Sequence, residues 1–250
     1  MASTPESTHA QSGEPAAAEP LDEHTMAALH TVSTATLTTQ LMDRGLRNTF
    51  MQGPRPLSAT RRRVVGEAFT LRYIPGREDI DVVSVFQDYD HPQRRAFEAA
   101  PPGSVLVIDA RGRTRAAALG NILATRFLRR GGAGIVTDGA VRDLSGFARL
   151  DLPTFACGAA PTTNLAQHHA VDMQQPIGCA EVPVYPGDVI VGDEDGVICV
   201  PRHLAASVAH DAAAQEAVEE FVLARIDEGR PLRGTYPPDE RTLREYRGAP

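Results

Sequence analysis

Two short runs of consecutive apolar residues constrain this chain most: Ser104-Val-Leu-Val-Ile-Asp109 and Gly134-Ile-Val-Thr137. Neither alternates with polar residues, so each suits a strand covered on both faces, as in a parallel sheet. Between them, Ile122 to Arg130 has helical spacing and is stopped by Gly131-Gly132. Strand, helix and strand in that order form a crossover unit, which places the chain in the α/β class.

The flanking sequence extends this frame. Met1 to Pro20 holds almost no large apolar side chain and is expected to be a disordered tail. From Leu21 the pattern becomes helical, with Asp22 as a cap and Met26, Leu29, Val32, Leu37 and Leu41 on one face up to Gly45. The Thr- and Ser-rich stretch from Thr31 to Thr39 is expected to divide it into two helices. Val64 to Tyr73 reads as a strand, a helix follows Pro92, and Thr114 to Leu119 is extended. Val182 to Tyr185 is another strand, and Val189–Val191 and Val197–Val200 flank the acidic Asp193-Glu-Asp-Gly196 turn as a hairpin. A long helix spans about His203 to Glu228, closed by Gly229. A length of 250 residues suits one large α/β domain or two small ones. The expected organisation is a tail over 1–20, a single catalytic domain over 21–229, and an extension over 230–250 that wraps the surface or a neighbouring subunit.

Composition excludes several chemistries. All 25 basic residues are arginine, so no lysine Schiff base, pyridoxal aldimine or P-loop ammonium can form. An enzyme of this composition that makes a carbanion beside a carbonyl must stabilise the charge without lysine, and a Lewis-acid metal with arginine beside it is the obvious remaining solution. A formal charge of -7 argues against coating nucleic acid. Cys157, Cys179 and Cys199 are odd in number and scattered, which fits a reducing compartment. With no apolar leader and no run of membrane-spanning length, the expectation is a cytoplasmic protein without membrane attachment.

The densest polar cluster after a buried strand is Asp138-Gly-Ala-Val-Arg142-Asp143. Strand ends in α/β proteins carry functional loops because the rigid sheet positions accessible side chains. Arg142 offers a fork of donors for a carboxylate or enolate, and Asp143 offers hard oxygens for Mg²⁺ or Mn²⁺. The same pair in a turn also has a purely structural reading. Asn121 stands at a helix start as an expected N-cap, where the amides of Ile122 and Leu123 would face an anion. Asp79, Asp81, Asp88, Asp90 and His91 have ligand-like spacing but read more simply as loop charge. His168 and His169 read as neighbours in a polar loop. Glu216, Glu219 and Glu220 read as the solvated face of the long helix.

Several of these segments together resemble one family. They are Pro102-Gly-Ser-Val-Leu-Val-Ile-Asp109, Gly120-Asn-Ile-Leu-Ala124, Gly131 through Asp143, Pro186-Gly-Asp-Val-Ile-Val191 and Asp195-Gly-Val-Ile-Cys-Val-Pro201. Their order over roughly residues 25 to 225 is similar to the RraA-like family, which includes 4-hydroxy-4-methyl-2-oxoglutarate aldolases and regulators of ribonuclease activity. The resemblance implies a single α/β domain with a layered β core and flanking helices, assembled as a homotrimer or a dimer of trimers. It implies a Mg²⁺ or Mn²⁺ cofactor held by Asp143, a 2-oxo acid gripped by Arg142, and a carboxylate cradle at Gly120, Ile122 and Leu123. It further implies that one of Glu216, Glu219 and Glu220 serves a neighbouring subunit's site. Aldolase members carry aspartate where this chain has Asn121, which cannot accept a proton as a carboxylate does. The implied activity is a lyase that forms a pyruvate enolate, as a 4-hydroxy-2-oxo acid aldolase or an oxaloacetate decarboxylase. A non-catalytic regulator of an RNA-processing enzyme and a dehydratase or isomerase of a sugar-derived acid are the alternatives.

Overall fold

A computed structural model describes residues 21–57 and 63–248. The expected tail over 1–20, residues 58–62 and the last two residues lie outside the described residues.

The N-terminal helical stretch is two helices, α1 (Glu23–Thr31) and α2 (Thr34–Asp43), each with its own cap. The Asp22 carboxylate accepts the Thr25 amide at 2.8 Å, and the Ser33 hydroxyl accepts that of Thr36 at 3.1 Å. The break between them is held from outside. Glu216 accepts the Ser33 amide at 2.7 Å, and Asp193 accepts both the amide and the hydroxyl of Thr34. The Asp193-Glu-Asp-Gly196 turn therefore caps α2 as well as closing a hairpin.

Two short strands, β1 (Phe50–Met51) and β2 (Arg55–Pro56), lead to β3 (Val64–Pro75), the spine of the fold. Then come α3 (Pro92–Ala99), β4 (Val105–Asp109), β5 (Ala117–Leu119), α4 (Asn121–Arg129), β6 (Gly134–Thr137) and β7 (Ala140–Val141). After these come α5 (Leu144–Phe147), β8 (Thr154–Ala156), β9 (His168–Met173), β10 (Ile177–Cys179) and β11 (Val182–Val184). The chain continues through β12 (Val189–Gly192), β13 (Val197–Val200), α6 (Ala205–Asp227) and α7 (Glu240–Tyr246).

The main sheet runs β1-β13-β12-β3-β4-β6-β8-β2, with β9 also on β3. β3, β4, β6 and β8 are parallel, as the crossover reading requires, and the outer strands are antiparallel. One edge of β3 is shared: Val64–Glu67 pairs with β12, and Leu71–Pro75 pairs with β9 beyond a register shift at Arg72/Tyr73. This mixed sheet curls into a half-barrel with flanking helices, all one domain.

Alternation along the strands divides the core. Leu106 and Ile108 of β4 face α3, α4 and α5 with Phe97, Phe127 and Phe147, while Val105 and Val107 face the inside with Phe155 and Ile190. On β12, Val189 and Val191 pack under α1, α2 and α6. Apolar cover on both faces is why these strands carry unbroken apolar runs. Beyond Gly229, α7 returns onto α6, with Tyr246 edge-on to Phe221 and Arg230 paired with Glu245 at 2.7 Å. Among the described residues no helix is long and apolar enough to cross a membrane.

Two local expectations need correction. His168 and His169 lie in β9, not in a loop, and strand alternation sends them to opposite sides. His168 is buried against Tyr73, while His169 reaches the buried carboxylate of Asp81 at 2.7 Å. Asn121 is not the N-cap of α4. Gly120, with extended backbone, holds that position, and Asn121 is the first helical residue.

Candidate active site

The site forms where two parallel segments end side by side. β5 and β7 pair in parallel, and the Arg142 amide extends the ladder to the Leu119 carbonyl at 3.1 Å. This pairing brings Gly120 and α4 against Arg142-Asp143, although more than twenty residues of chain separate them. Asp138, at the end of β6, holds the adjoining turn. Its buried carboxylate accepts the amides of Ala110 at 2.6 Å, Gly112 at 2.8 Å and Ala180 at 3.3 Å. Burial raises its pKa, against the pull of those amides. With its oxygens committed to backbone, Asp138 fixes the loop from which the site projects.

Asp143 has left-handed backbone, φ 66° and ψ 44°, uncommon for a residue with a side chain. Its carbonyl accepts the amides of Gly146 and Phe147 and so starts α5. Its side chain turns the other way, and Oδ2 accepts the Asn121 amide at 3.3 Å. The cap on α4 is thus supplied by a residue 22 positions later, which is why Asn121 has no capping task. Asn121 instead lies against Gly146, where an added Cβ would stand 2.2 Å from its Nδ2. Gly120 is required in the same way, since a Cβ there would stand 2.6 Å from Asp143 Oδ2. The Arg142 Nε lies 3.6 Å from that oxygen, and both side chains are half-exposed.

Gly120, Ile122, Leu123, Arg142 and Asp143 line one cavity of about 300 Å³. The amides of Ile122 and Leu123 belong to the first turn of α4, where no intrahelical acceptor exists. The candidate residues on β7–α5 and α4 are therefore together in space. The cavity also contains residues that the sequence did not suggest: Phe86, Gln93 and Arg94 around the start of α3, and Thr163 and Asn164 before β9. Pro92 marks the α3 start, but nothing in the sequence links it to Gly120.

Glu216, Glu219 and Glu220 do not line this cavity within one chain. They border a separate groove between α6 and the α1–α2 break. Glu216 is engaged by the Ser33 amide, Glu219 accepts from Gln215 at 2.8 Å, and Glu220 is exposed. Asp79 pairs with Arg77, and Asp81 accepts the Arg77 amide as well as His169. The Asp88 carboxylate accepts the Asp90 amide. Neither acidic pair forms a ligand cluster.

The donor set limits what ion could be held. Among the described residues no three His, Cys, Asp or Glu side chains converge, so a closed zinc cage is absent there. One carboxylate in an open cavity suits Mg²⁺ or Mn²⁺, which keep most of their shell as water and substrate oxygen. Oδ2 of Asp143 is used by the Asn121 amide, which leaves Oδ1 for an ion. The residues present fit such a cation.

Comparison with known proteins identifies the family and the fold. Residues 34–199 match the family model described as RraA-like, Aldolase/RraA. A Halalkalibacterium halodurans protein provisionally named a 4-hydroxy-4-methyl-2-oxoglutarate aldolase is 36% identical over 130 residues, covering 50% of this chain and 60% of that protein. The 4-hydroxy-4-methyl-2-oxoglutarate aldolase of Thermus thermophilus is 32% identical over 123 residues, covering 49% of this chain and 74% of its own length. In the first case the match spans less than two thirds of the relative. The crystal structure of Streptomyces coelicolor RraAS2, described as an unusual member of the RNase ES inhibitor RraA protein family, superposes with a TM-score of 0.72. It is 32% identical, over 81% of this chain and 97% of that one.

Proposed function

This chain belongs to the RraA-like family, and from that premise we propose that it is a Mg²⁺- or Mn²⁺-dependent lyase cleaving a carbon–carbon bond of a 2-oxo acid. The observation that carries the reading is the convergence of Arg142, Asp143 and the first turn of α4 on one cavity. Asp143 Oδ1 is the atom that would hold the cation. When bound, the cation supplies Lewis acidity at the keto oxygen.

The chain's own groups account for the remainder. The Ile122 and Leu123 amides point positive dipoles at a carboxylate without a charged side chain. Arg142 donates to the keto oxygen and gains strength as that oxygen becomes an enolate, so its effect is greatest in the transition state. Breaking the C3–C4 bond sends its electron pair into the enolate, and a proton later arrives at C3 to give pyruvate. Loss of CO₂ needs no base at C4, whereas aldol cleavage must remove the C4 hydroxyl proton. Asn121 packs against Gly146 outside the cavity lining and its amide takes no proton, which favours oxaloacetate decarboxylation unless a carboxylate base arrives from elsewhere. We place that base on α6 of a neighbouring copy, among Glu216, Glu219 and Glu220, in a cytoplasmic homotrimer or dimer of trimers.

The test is pyruvate release from oxaloacetate and from 4-hydroxy-2-oxo acids, with Mg²⁺, with Mn²⁺ and with chelator. Metal-dependent release is expected, and Arg142→Ala and Asp143→Ala are each expected to lower kcat/KM by about a hundredfold or more. No metal-dependent release from any of these acids sinks the reading. The similarity to RraAS2 over nearly that protein's whole length favours a second one, a regulator of an RNA-processing enzyme. Retention of a ribonuclease by the Asp143→Ala protein, with no turnover by the parent, would select it.

A further inference from the structure

The chain between β3 and α3 borders the cavity on a single support. It leaves β3 at Gly76, whose amide donates to the Gln167 carbonyl at 3.0 Å, and it ends at Pro92, the first residue of α3. Phe86, in a short 3₁₀ turn over Val83–Gln87, is the one residue of this segment that lines the cavity. From Arg77 to His91 only Asp81 is buried, while Val83 and Tyr89 are largely exposed. The Asp81 side chain is 1% exposed. Its Oδ2 accepts the Arg77 amide of its own turn at 2.7 Å, and its Oδ1 lies 2.7 Å from Nδ1 of His169 on β9. Among the described residues no other hydrogen bond or ion pair joins Arg77–Asp90 to another element. The remaining tie is the Arg94 guanidinium, 5.6 Å from the centre of the half-buried Phe86 ring, a weak contact.

The chemistry of that support decides what the segment can do. A segment pinned by a leucine would belong to the core, because its release would expose apolar surface to water. A carboxylate drawn out of a buried site regains its hydration, which offsets much of the lost bond. With so few buried apolar contacts, the segment is held shut by one bond and opens at modest cost. We propose that residues 77–91 are a lid on the cavity, latched by Asp81 and His169, and that opening of this latch sets how fast a ligand enters and leaves. The proposal rests on the 2-oxo acid reading for the identity of that ligand. A lid of this kind keeps bulk water from a reacting centre, and Phe86 gives this one an apolar inner face.

The chain contains no tryptophan, so Phe86→Trp puts a single fluorescent reporter on the lid. Acrylamide quenching of that reporter is expected to rise when His169→Ala removes the latch. It should return to the starting level in His169→Asn, whose side-chain amide can donate from the place of Nδ1. Stopped-flow mixing with oxalate in Mg²⁺, which has the planar shape of the enolate, reads the gate itself. Association and dissociation rate constants should both rise by about tenfold in His169→Ala, as for the loss of a charge-assisted bond. A gate scales the two rates together, so Kd should change by less than about threefold. A residue that only shaped the cavity wall would raise dissociation and Kd and leave association alone. Should the Trp variant fail to fold, hydrogen exchange at the Val85 and Asp88 amides, bonded to the Val82 and Val85 carbonyls at 2.9 and 3.1 Å, makes the same comparison. Quenching or exchange unchanged in His169→Ala, or an unaltered association rate for oxalate, would overturn the proposal. If oxalate does not bind the parent protein, the 2-oxo acid reading is weakened and quenching alone decides the lid. If oxalate binds and His169→Ala opens nothing, the lid is lost and that reading stands.

Discussion

Gly120 and Asp143 compete for one volume, and glycine lets the carboxylate have it. The Gly120 backbone, at φ -120° and ψ 176°, is ordinary for alanine, so substitution there adds no conformational strain. It adds a methyl 2.6 Å from Asp143 Oδ2, and the carboxylate must leave the Asn121 amide. Gly120→Ala is therefore expected to lower kcat/KM by about tenfold or more, while the thermal midpoint moves by only about 2–4 °C. Steady-state kinetics beside a melting curve checks both. Unchanged kinetics would show that the position of Asp143 does not matter to the reaction. Arg142 and Asp143 were legible in the sequence because they are contiguous and follow a buried strand. The Asp143–Asn121 bond was not, because it joins residues 22 positions apart through a strand pairing that has no local signal. Arg94 and Asn164 were hidden for the same reason, each looking like a polar surface residue until β5 and β9 bring it to the cavity.

At the scale of elements, β9 shows what a buried titratable group does to the register that carries it. His168 is wholly buried, stacked on Tyr73 at 5.3 Å, with Nε2 3.4 Å from the Ala116 carbonyl and Nδ1 3.4 Å from Arg111. Burial lowers its pKa from 6.5 to about 4; the Ala116 carbonyl opposes the shift and Arg111 adds to it. The folded chain thus keeps the ring neutral where the unfolded chain protonates it. Its contribution to stability is complete above pH 6.5 and is lost as the pH falls toward about 4. The loss has a limiting slope of about 1.4 kcal/mol per pH unit. Urea unfolding at steps between pH 7.5 and 4.5 should show that slope in the parent and a shallower one in His168→Gln. Parallel slopes would show that the ring does not titrate between the two states. β9 escaped the sequence reading because its six residues mix His, Ala, Val, Asp and Met, with no clean apolar alternation. The β4, β6, β12 and β13 runs were legible because both faces are covered, and the α1–α2 break because Ser33 is a good cap amid threonines.

At the scale of the whole molecule, the proposed aldol cleavage would need a base that the described residues of one copy do not bring to the cavity. Among the described residues Asp143 is the only carboxylate lining the cavity, and a residue holding a cation is poorly placed to take the C4 proton. The α6 glutamates border another groove of the same chain, so a second copy must bring them if they take part. The surface suits such contact: Ile122 at the cavity is 80% exposed and Leu223, near Glu220 on α6, is 68% exposed. Glu216 already holds the Ser33 amide across the α1–α2 break, which leaves Glu219 and Glu220 freer to reach outward. A Glu219→Gln/Glu220→Gln protein and an Asp143→Ala protein should each lose aldol cleavage, and decarboxylation should survive better in the first. If the proposed cyclic assembly holds, unfolding them together at equal amounts and refolding them gives mixed rings in which some sites take Asp143 from one chain and the glutamates from its neighbour. For random mixing in a cyclic assembly roughly a quarter of the sites are complete, and aldol cleavage should return to about that fraction of the parent rate. A site built wholly within one chain would regain nothing, so recovery in the mixture and none in either variant refolded alone separates a shared site from a private one.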